Sequence, residues 1–148
     1  MDLDKLISEA WMAYEEAKKL LDEGDLRDAA EKAWLAVETM RKAIIVAAKI
    51  PYEETRRISI ALPIFNSILI ALGEKKFLDK YYTFQSTLHG MSFYEGLLNE
   101  EAIIMYVRDV EDWLSEAEGV VKRASKVNAT KLLEPAKKRV RIKSEIFI

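Results

Sequence analysis

The single histidine of the chain, His89, is the side chain with the widest chemical repertoire, because an imidazole can exchange protons or bind a metal near neutral pH. It lies in the stretch FQSTLHGMSFYEG, residues 84–96. The chain has no cysteine, which excludes disulfides, thiolate zinc sites and cysteine nucleophiles. One histidine is also too few for an imidazole-rich metal centre. We therefore expect no metal site and no cofactor.

The neighbours of His89 at helical spacing predict a polar, aromatic strip that can hold a small planar or anionic ligand. Tyr82, Gln85 and Ser92 fall at steps of three to four residues, and Tyr94 follows Ser92 in the chain. The strip flanks an apolar line made of Phe77, Tyr81, Phe84 and Leu88. The interpretation we favour over a ligand role is a buried histidine that bonds to a neighbouring helix. No partner carboxylate or nucleophile can be assigned from the sequence, so no catalytic residue is predicted.

The sequence lacks the residue spacings that hold metal ions in helical-bundle enzymes. Di-iron carboxylate proteins use Glu-x-x-His on two helices, but Ser86 stands three residues before His89. Magnesium-dependent nucleotide pyrophosphohydrolases use Glu-x-x-Glu and Glu-x-x-Asp pairs, and no glutamate in this chain has a carboxylate three residues later. Asp109, Asp112 and Glu116 do share one helix face, which we interpret as a solvated acidic surface.

Apolar residues that recur at steps of three and four predict long amphipathic helices in the first third of the chain. The first helix runs from about Asp4 to Asp22 and is stopped by Gly24. The second begins at the predicted N-cap Asp25 and ends before Pro51. The turn between them is short, so the two helices should be antiparallel neighbours.

The stretch RRISIALPIFNSILIALGE, residues 56–74, is apolar on nearly all sides. It predicts a short, buried, central helix with Pro63 in its first turn and its end at Gly73. A fourth helix follows from about Glu74, and a fifth begins after the N-cap Asn99. The predicted fold class is all-α, an up-and-down bundle of four to five helices. Residues 1–134 should form this single domain and residues 135–148 a short basic tail.

Charge is distributed unevenly between the two ends of the chain. Residues 1–31 carry four basic and ten acidic side chains, whereas residues 121–148 carry nine basic and two acidic ones. The basic residues of the tail precede a final Ile-Phe-Ile and are Lys137, Lys138, Arg139, Arg141 and Lys143. The tail is predicted to be solvated, to contact a polyanion, or to dock on its own bundle or a dimer partner. The formal net charge of −2 limits nucleic-acid binding to a weak, salt-sensitive contribution.

No apolar run approaches the roughly 18 to 20 residues that a membrane-spanning helix needs. The acidic, helical N-terminus MDLDKLISEA also differs from a signal peptide, which is basic and then apolar. We therefore expect a cytoplasmic protein without membrane association. A surface dense in Lys, Arg and Glu, with a single glutamine in the chain, is typical of a thermophile.

Two longer motifs carry a family resemblance: DAAEKAWLAVETMRKAI, residues 28–44 in the first hairpin, and LHGMSFYEGLL, residues 88–98. With the apolar helix between them, they resemble the archaeal PaREP family of small helical proteins, which belong with the HEPN-like bundles. The resemblance spans roughly residues 5 to 115. It implies an up-and-down bundle, homodimerisation, and a link to nucleotide or RNA chemistry.

Ribonucleases of the HEPN class carry an arginine that is followed by four to six residues and then by the catalytic histidine. The corresponding positions before His89 are Phe84, Thr83 and Tyr82, so the motif is absent. A phenyl or phenol ring cannot stabilise charge on a phosphate as a guanidinium does. We therefore predict a non-catalytic binding or scaffolding module. Its implied protein partners are a nucleotidyltransferase or a toxin–antitoxin system. The alternative is a ribonuclease or nucleotide-processing enzyme that uses His89 with an unusual base such as Lys80.

Overall fold

The computed structural model describes residues 2–51, 55–94 and 96–127 of the chain. Its elements are α1, Leu3–Asp22; α2, Leu26–Ala47; α3, Ile58–Ala71; α4, Lys75–Phe84; a π-helical segment, Gln85–Tyr94; and α5, Glu100–Ala124. This architecture confirms the predicted all-α bundle. The predicted basic tail, with Lys137, Lys138, Arg139, Arg141 and Lys143, lies outside the described residues. No described helix combines the length and the apolar character needed to cross a bilayer.

Glycines end two of the helices as the sequence predicts. Gly24 and Gly73 have positive φ angles of 79° and 71°, a left-handed conformation that other residues rarely adopt. After α1, the Gly24 N–H bonds to the Leu21 carbonyl and the Asp25 N–H to the Leu20 carbonyl. The equivalent pair of bonds follows α3. This is the Schellman arrangement, which satisfies the last carbonyls of a helix and reverses the chain direction.

The two predicted N-caps differ in the structure. The Asn99 side chain accepts a hydrogen bond from the Ala102 N–H at 2.9 Å, which confirms it as the cap of α5. Asp25 occupies the cap position of α2 but makes no capping bond with its side chain. The neighbouring Asp25 carboxyl raises the pKa of Asp28 through hydrogen bonding and through its charge. The prediction of Asp25 as the cap residue was therefore correct in position and wrong in the capping bond.

Helix α2 occupies the centre of the bundle, and α3 does not, which corrects the prediction from the apolar stretch. Helix α2 contacts α1, α3, α4, the π-helical segment and α5, whereas α3 packs on α2 and α4. Ile58 and Ile70 of α3 are 50% and 68% exposed. The reason lies in side-chain size, because small residues let several helices approach one axis closely. The buried alanines of α2 are Ala29, Ala30, Ala33, Ala36, Ala43 and Ala47.

The position of Pro63 also differs from the prediction. Helix α3 begins at Ile58, with Arg57 at its N-cap position, so Pro63 lies in the second turn and not in the first. A proline there has no N–H to donate to the Ser59 carbonyl one turn earlier. The burial of Ala61, Ile64 and Phe65 against the core compensates for the missing bond.

Aromatic stacking fixes α4 on α5. The rings of Phe77 and Trp113 stack with centroids 4.3 Å apart, and the Trp113 indole N–H donates to the Phe77 carbonyl at 3.1 Å. The four residues of the predicted apolar line are buried, which confirms the inward face of this helix; they are Phe77, Tyr81, Phe84 and Leu88. The helix axis around His89 is therefore held by the core.

Candidate functional site

Helix α4 continues as a π-helical segment from Gln85, and this change of helix type repositions the residues around His89. A π-helix bonds residue i to residue i+5, so each turn holds more residues than an α-helical turn. Gln85 and His89, four apart, stay on one side. Ser92 is three residues beyond His89 and turns inward: it is 2% exposed, whereas the His89 side chain is 33% exposed. The predicted strip is thus divided between the surface and the core.

His89 contacts two residues of α2. Its Nδ1 lies 3.1 Å from Glu31 Oε2, and its ring stacks on Trp34 with centroids 5.7 Å apart and planes inclined by 26°. Glu31 and Trp34 are three residues apart and therefore neighbours on one helix face. A carboxylate acceptor at Nδ1 fixes the tautomer of a neutral ring and its orientation. The histidine thus bonds to a neighbouring helix while part of its ring faces solvent.

A second, deeper group of polar residues follows on the same face of α2. The Tyr81 hydroxyl donates to Glu38 Oε1 at 2.5 Å, and the Tyr81 ring lies 5.4 Å from that of Trp34. Arg41 donates to the Glu38 carboxylate from Nη2 at 2.9 Å and from Nε at 3.4 Å. Arg41 is only 4% exposed. We call the residues Glu31, Trp34, Glu38 and Arg41 the α2 polar stripe.

Electrostatics within the stripe keep Glu38 charged and Tyr81 protonated. Burial opposes the charge on Glu38, but the hydrogen bonds and charge supplied by Arg41, with the Tyr81 bond, hold the pKa of Glu38 below its ordinary value. Burial and the bond to the Glu38 carboxylate raise the pKa of Tyr81 well above its ordinary value. The buried Arg41 and the 20% exposed Glu38 therefore form an ion pair with a phenol as its third member.

The remaining predicted site residues lie apart from this contact. The Tyr82 hydroxyl donates to Asn66 Oδ1 on α3 at 2.7 Å, so Tyr82 contacts α3 while His89 contacts α2. Gln85 is half-buried at the start of the π-helical segment. Ser92 Oγ is buried and has no hydrogen-bond partner among the described residues. Tyr94 contributes its backbone to the segment. Tyr82, His89 and Ser92 therefore lie in three different surroundings: against α3, against α2 and in the core.

A cavity lies at the far end of the stripe, where α2 meets the residues that precede α3. It has a volume of about 240 Å³ and is lined by three aliphatic side chains and by Glu38, Arg41, Lys42, Thr55 and Arg56. Three of these polar residues are cations and one is an anion. The sequence reasoning missed both this cavity and the stripe. Polar residues at steps of three and four inside the alanine-rich motif of residues 28–44 were the available signal.

The Archaeal PaREP1/PaREP8 family model matches residues 5–114, about three quarters of the chain. The chain belongs to the archaeal PaREP1/PaREP8 family. This membership confirms the PaREP resemblance drawn from the sequence, and the matched range contains His89, the α2 polar stripe and the cavity. No curated protein and no solved structure matches the chain.

The acidic face of this PaREP1/PaREP8 chain borders an open cleft of about 680 Å³ between α4 and α5. Asp109, Asp112 and Glu116 line it with Lys76 and Lys80. Lys80 Nζ lies 3.2 Å from Asp109 Oδ2, so the cleft pairs its charges across the two helices. Within the described part of the chain, no three acidic or histidine side chains are arranged to hold a metal ion.

Proposed function

We propose that this protein is a non-catalytic binding module whose ligand site is formed by Glu31, Trp34 and His89. The observation that carries the proposal is the stack of His89 on Trp34 beside the Glu31 carboxylate. The histidine ring and the carboxylate are both about one third exposed, at 33% and 34%. They offer a flat aromatic surface next to a hydrogen-bond acceptor. The π-helical segment that carries His89 supports this location for the ligand site, because π-helical turns occur frequently at functional sites.

The chemistry of the site favours a planar ligand that donates hydrogen bonds. The carboxylate of Glu31 accepts hydrogen bonds and repels anions, so a phosphate is disfavoured beside it. A nucleobase with an exocyclic amino group fits both features, since histidine rings stack on unpaired bases and a carboxylate accepts from the amino group. The link to nucleotide or RNA chemistry implied by the resemblance supports the same ligand class.

Two observations support binding without catalysis. RNA cleavage requires a cation beside the phosphate, and the positions at ribonuclease spacing hold Tyr82, Thr83 and Phe84. The nearest upstream lysine, Lys80, pairs with Asp109 on α5, whereas His89 pairs with α2. The competing candidate is a ribonuclease or nucleotide-processing enzyme that uses His89. It is favoured by the Glu31 carboxylate at Nδ1, the arrangement that orients a histidine for proton transfer.

We also propose a cytoplasmic homodimer that can recruit a further protein. Exposed apolar side chains on neighbouring elements, Leu35, Ile58 and Ile70, support an association surface. Light scattering across micromolar concentrations tests the dimer. A mass equal to one chain at every concentration would contradict it.

Calorimetric titration with nucleosides tests the ligand site, because nucleosides lack a phosphate. We expect saturable binding of adenosine or cytidine and weaker binding of uridine, which has no exocyclic amino group. His89→Ala should weaken binding roughly 5- to 150-fold, the range for loss of one base stack. Glu31→Gln should selectively weaken the binding of nucleosides that carry an exocyclic amino group. Glu9→Gln, on the exposed face of α1, serves as the charge-matched control.

Three results would contradict the proposal. The first is the absence of nucleoside binding, and the second is an equal loss in Glu31→Gln and Glu9→Gln. The third is metal-independent RNA cleavage by the wild type that disappears in a folded His89→Ala variant. That last result would establish the enzyme in place of the binding module.

A further inference from the structure

The cavity between α2 and the start of α3 has no role in the proposed nucleobase site, and its lining has a different chemistry. Glu31 and Arg41 are ten residues apart on α2, a separation of about 15 Å along the helix axis. The lining carries two partly or fully exposed cations, Lys42 and Arg56, and the buried Arg41. We propose that this cavity binds the phosphate group of a small molecule.

Arg41 gives the cavity a fixed, buried donor group. The side chain is 4% exposed, and its bonds to Glu38 use Nε and Nη2. A guanidinium has five N–H donors in a planar fork, so donors remain for acceptors other than Glu38. Because the ion pair already orients the fork, an arriving phosphate does not have to order this side chain. Thr55, 8% exposed, lines the same wall.

The charge of the lining suits a doubly charged anion. Arg41, Lys42 and Arg56 supply three positive charges and Glu38 one negative charge, which leaves a net charge of +2 among the described lining residues. Arg41 and Lys42 are adjacent in the chain, and both lower the pKa of Glu38, which places Lys42 within electrostatic range of the ion pair. An arginine fork with a flexible lysine beside it is a combination well suited to phosphate recognition.

The size of the cavity limits the ligand further. Its volume of about 240 Å³ is below the roughly 300 to 1,000 Å³ that pockets for drug-sized ligands occupy. A phosphate or diphosphate group fits this space, whereas a complete nucleotide would leave its base and sugar outside. The source of the group is therefore either a free inorganic anion or the phosphorylated end of a larger molecule.

Calorimetry at constant ionic strength tests the site with inorganic phosphate, pyrophosphate and ribose 5-phosphate. The main variant is Lys42→Gln with Arg56→Gln, because both side chains reach solvent and the Arg41–Glu38 pair stays intact. The control is Lys5→Gln with Arg57→Gln, two exposed positions outside the cavity with the same change of net charge. We expect 1:1 binding by the wild type, a loss of at least about tenfold in the main variant, and a change under about twofold in the control.

The relative affinities identify the source of the phosphate group. Equal affinity for phosphate and ribose 5-phosphate indicates the free anion, and tighter ribose 5-phosphate binding indicates an organic phosphate. Either result supports the site when binding is lost in the main variant alone. Absence of saturable binding by all three probes, or equal weakening in both double variants, overturns the proposal. Since none of the probes contains a base, this test is independent of the nucleoside titration.

Discussion

The two ends of the α2 polar stripe use the same helix face for opposite electrostatic purposes. At one end Glu31 pairs with a half-exposed histidine, which turns an acceptor toward solvent. At the other end Glu38 is enclosed by Arg41 and Tyr81, and the surplus charge at the adjoining cavity is positive. Glu31 thus contributes its own negative charge to a site, whereas Glu38 serves mainly to hold the Arg41 guanidinium in place.

The burial of their partners, His89 at 33% exposed and Arg41 at 4%, explains the difference between the two glutamates. The Glu31–His89 contact is about one third exposed, so its mutual attraction is screened by solvent and contributes little to folding. The Arg41 guanidinium is removed from water and depends on Glu38 for its solvation. The His89 end should therefore affect ligand binding more than stability, and the Arg41 end should affect both.

The same substitution at each end gives the largest expected contrast. Glu38→Ala leaves a buried guanidinium without its carboxylate and should lower the free energy of unfolding by roughly 3 to 5 kcal/mol. Glu31→Ala should lower it by less than about 1 kcal/mol. Urea unfolding of both variants measures the difference. Losses of equal size would show that the two ends do not differ as burial requires.

A fall in pH should reduce the stabilising contribution of the Glu38 end of the stripe. The folded-state pKa of Glu38 lies below its ordinary value of 4.5, so its stabilising contribution is complete above pH 4.5 and declines as the pH falls toward the folded value. The stability difference between wild type and Glu38→Gln should therefore shrink below pH 4.5. Unfolding free energies measured from pH 6 to pH 3 test this sign. A difference that grows on acidification would contradict the lowered pKa.

His89→Ala should have a smaller effect on stability than any loss at Glu38. The substitution removes a partly exposed stack on Trp34 and a solvent-screened contact with Glu31, which together contribute about 1 kcal/mol. Thermal melts measure this loss, and a labelled-RNA assay beside them should detect no cleavage by the wild type. A loss as large as that of Glu38→Ala would indicate that His89 belongs to the core and not to a binding surface.

Ser92→Ala should have the smallest effect. The Ser92 hydroxyl is buried without a hydrogen-bond partner among the described residues, so its removal eliminates an unfavourable burial. We expect stability to be unchanged or raised by up to about 1 kcal/mol. Thr87→Val is the contrasting control, because Thr87 Oγ1 donates to the Thr83 carbonyl at 2.7 Å. A marked loss in Ser92→Ala would reveal a partner for the hydroxyl.

The helix boundaries could be predicted because their signals are local. Gly24 and Gly73 adopt left-handed backbone conformations, and Asn99 caps with its own side chain, so each boundary is encoded within a few residues. The order of helices in space could not be read in this way. An apolar stretch indicates burial, but the alanines of α2 decide which helix has the most neighbours.

Of the three residues of the candidate site, the sequence singled out only His89. His89 was selected for its chemistry, but Glu31 is 58 residues away in the chain, and no local sequence pattern predicts the contact between the two side chains. The inward turn of Ser92 depends on the π-helical segment, whose wider turn has no clear compositional signature. Arg41 could not be identified as buried from the sequence, because a charged residue on a helix is usually solvated and its ion-pair partners are known only from the structure.

Nuclear magnetic resonance of two side-chain N–H groups tests the division of the stripe most directly. Adenosine should shift the indole N–H signal of Trp34 and leave the Nε–H signal of Arg41 unchanged, and pyrophosphate should do the reverse. The buried indole of Trp113, bonded to the Phe77 carbonyl, provides an internal control that neither ligand should shift. Both ligands shifting the same signal, or neither shifting any of the three, would contradict the account of two chemically distinct ends.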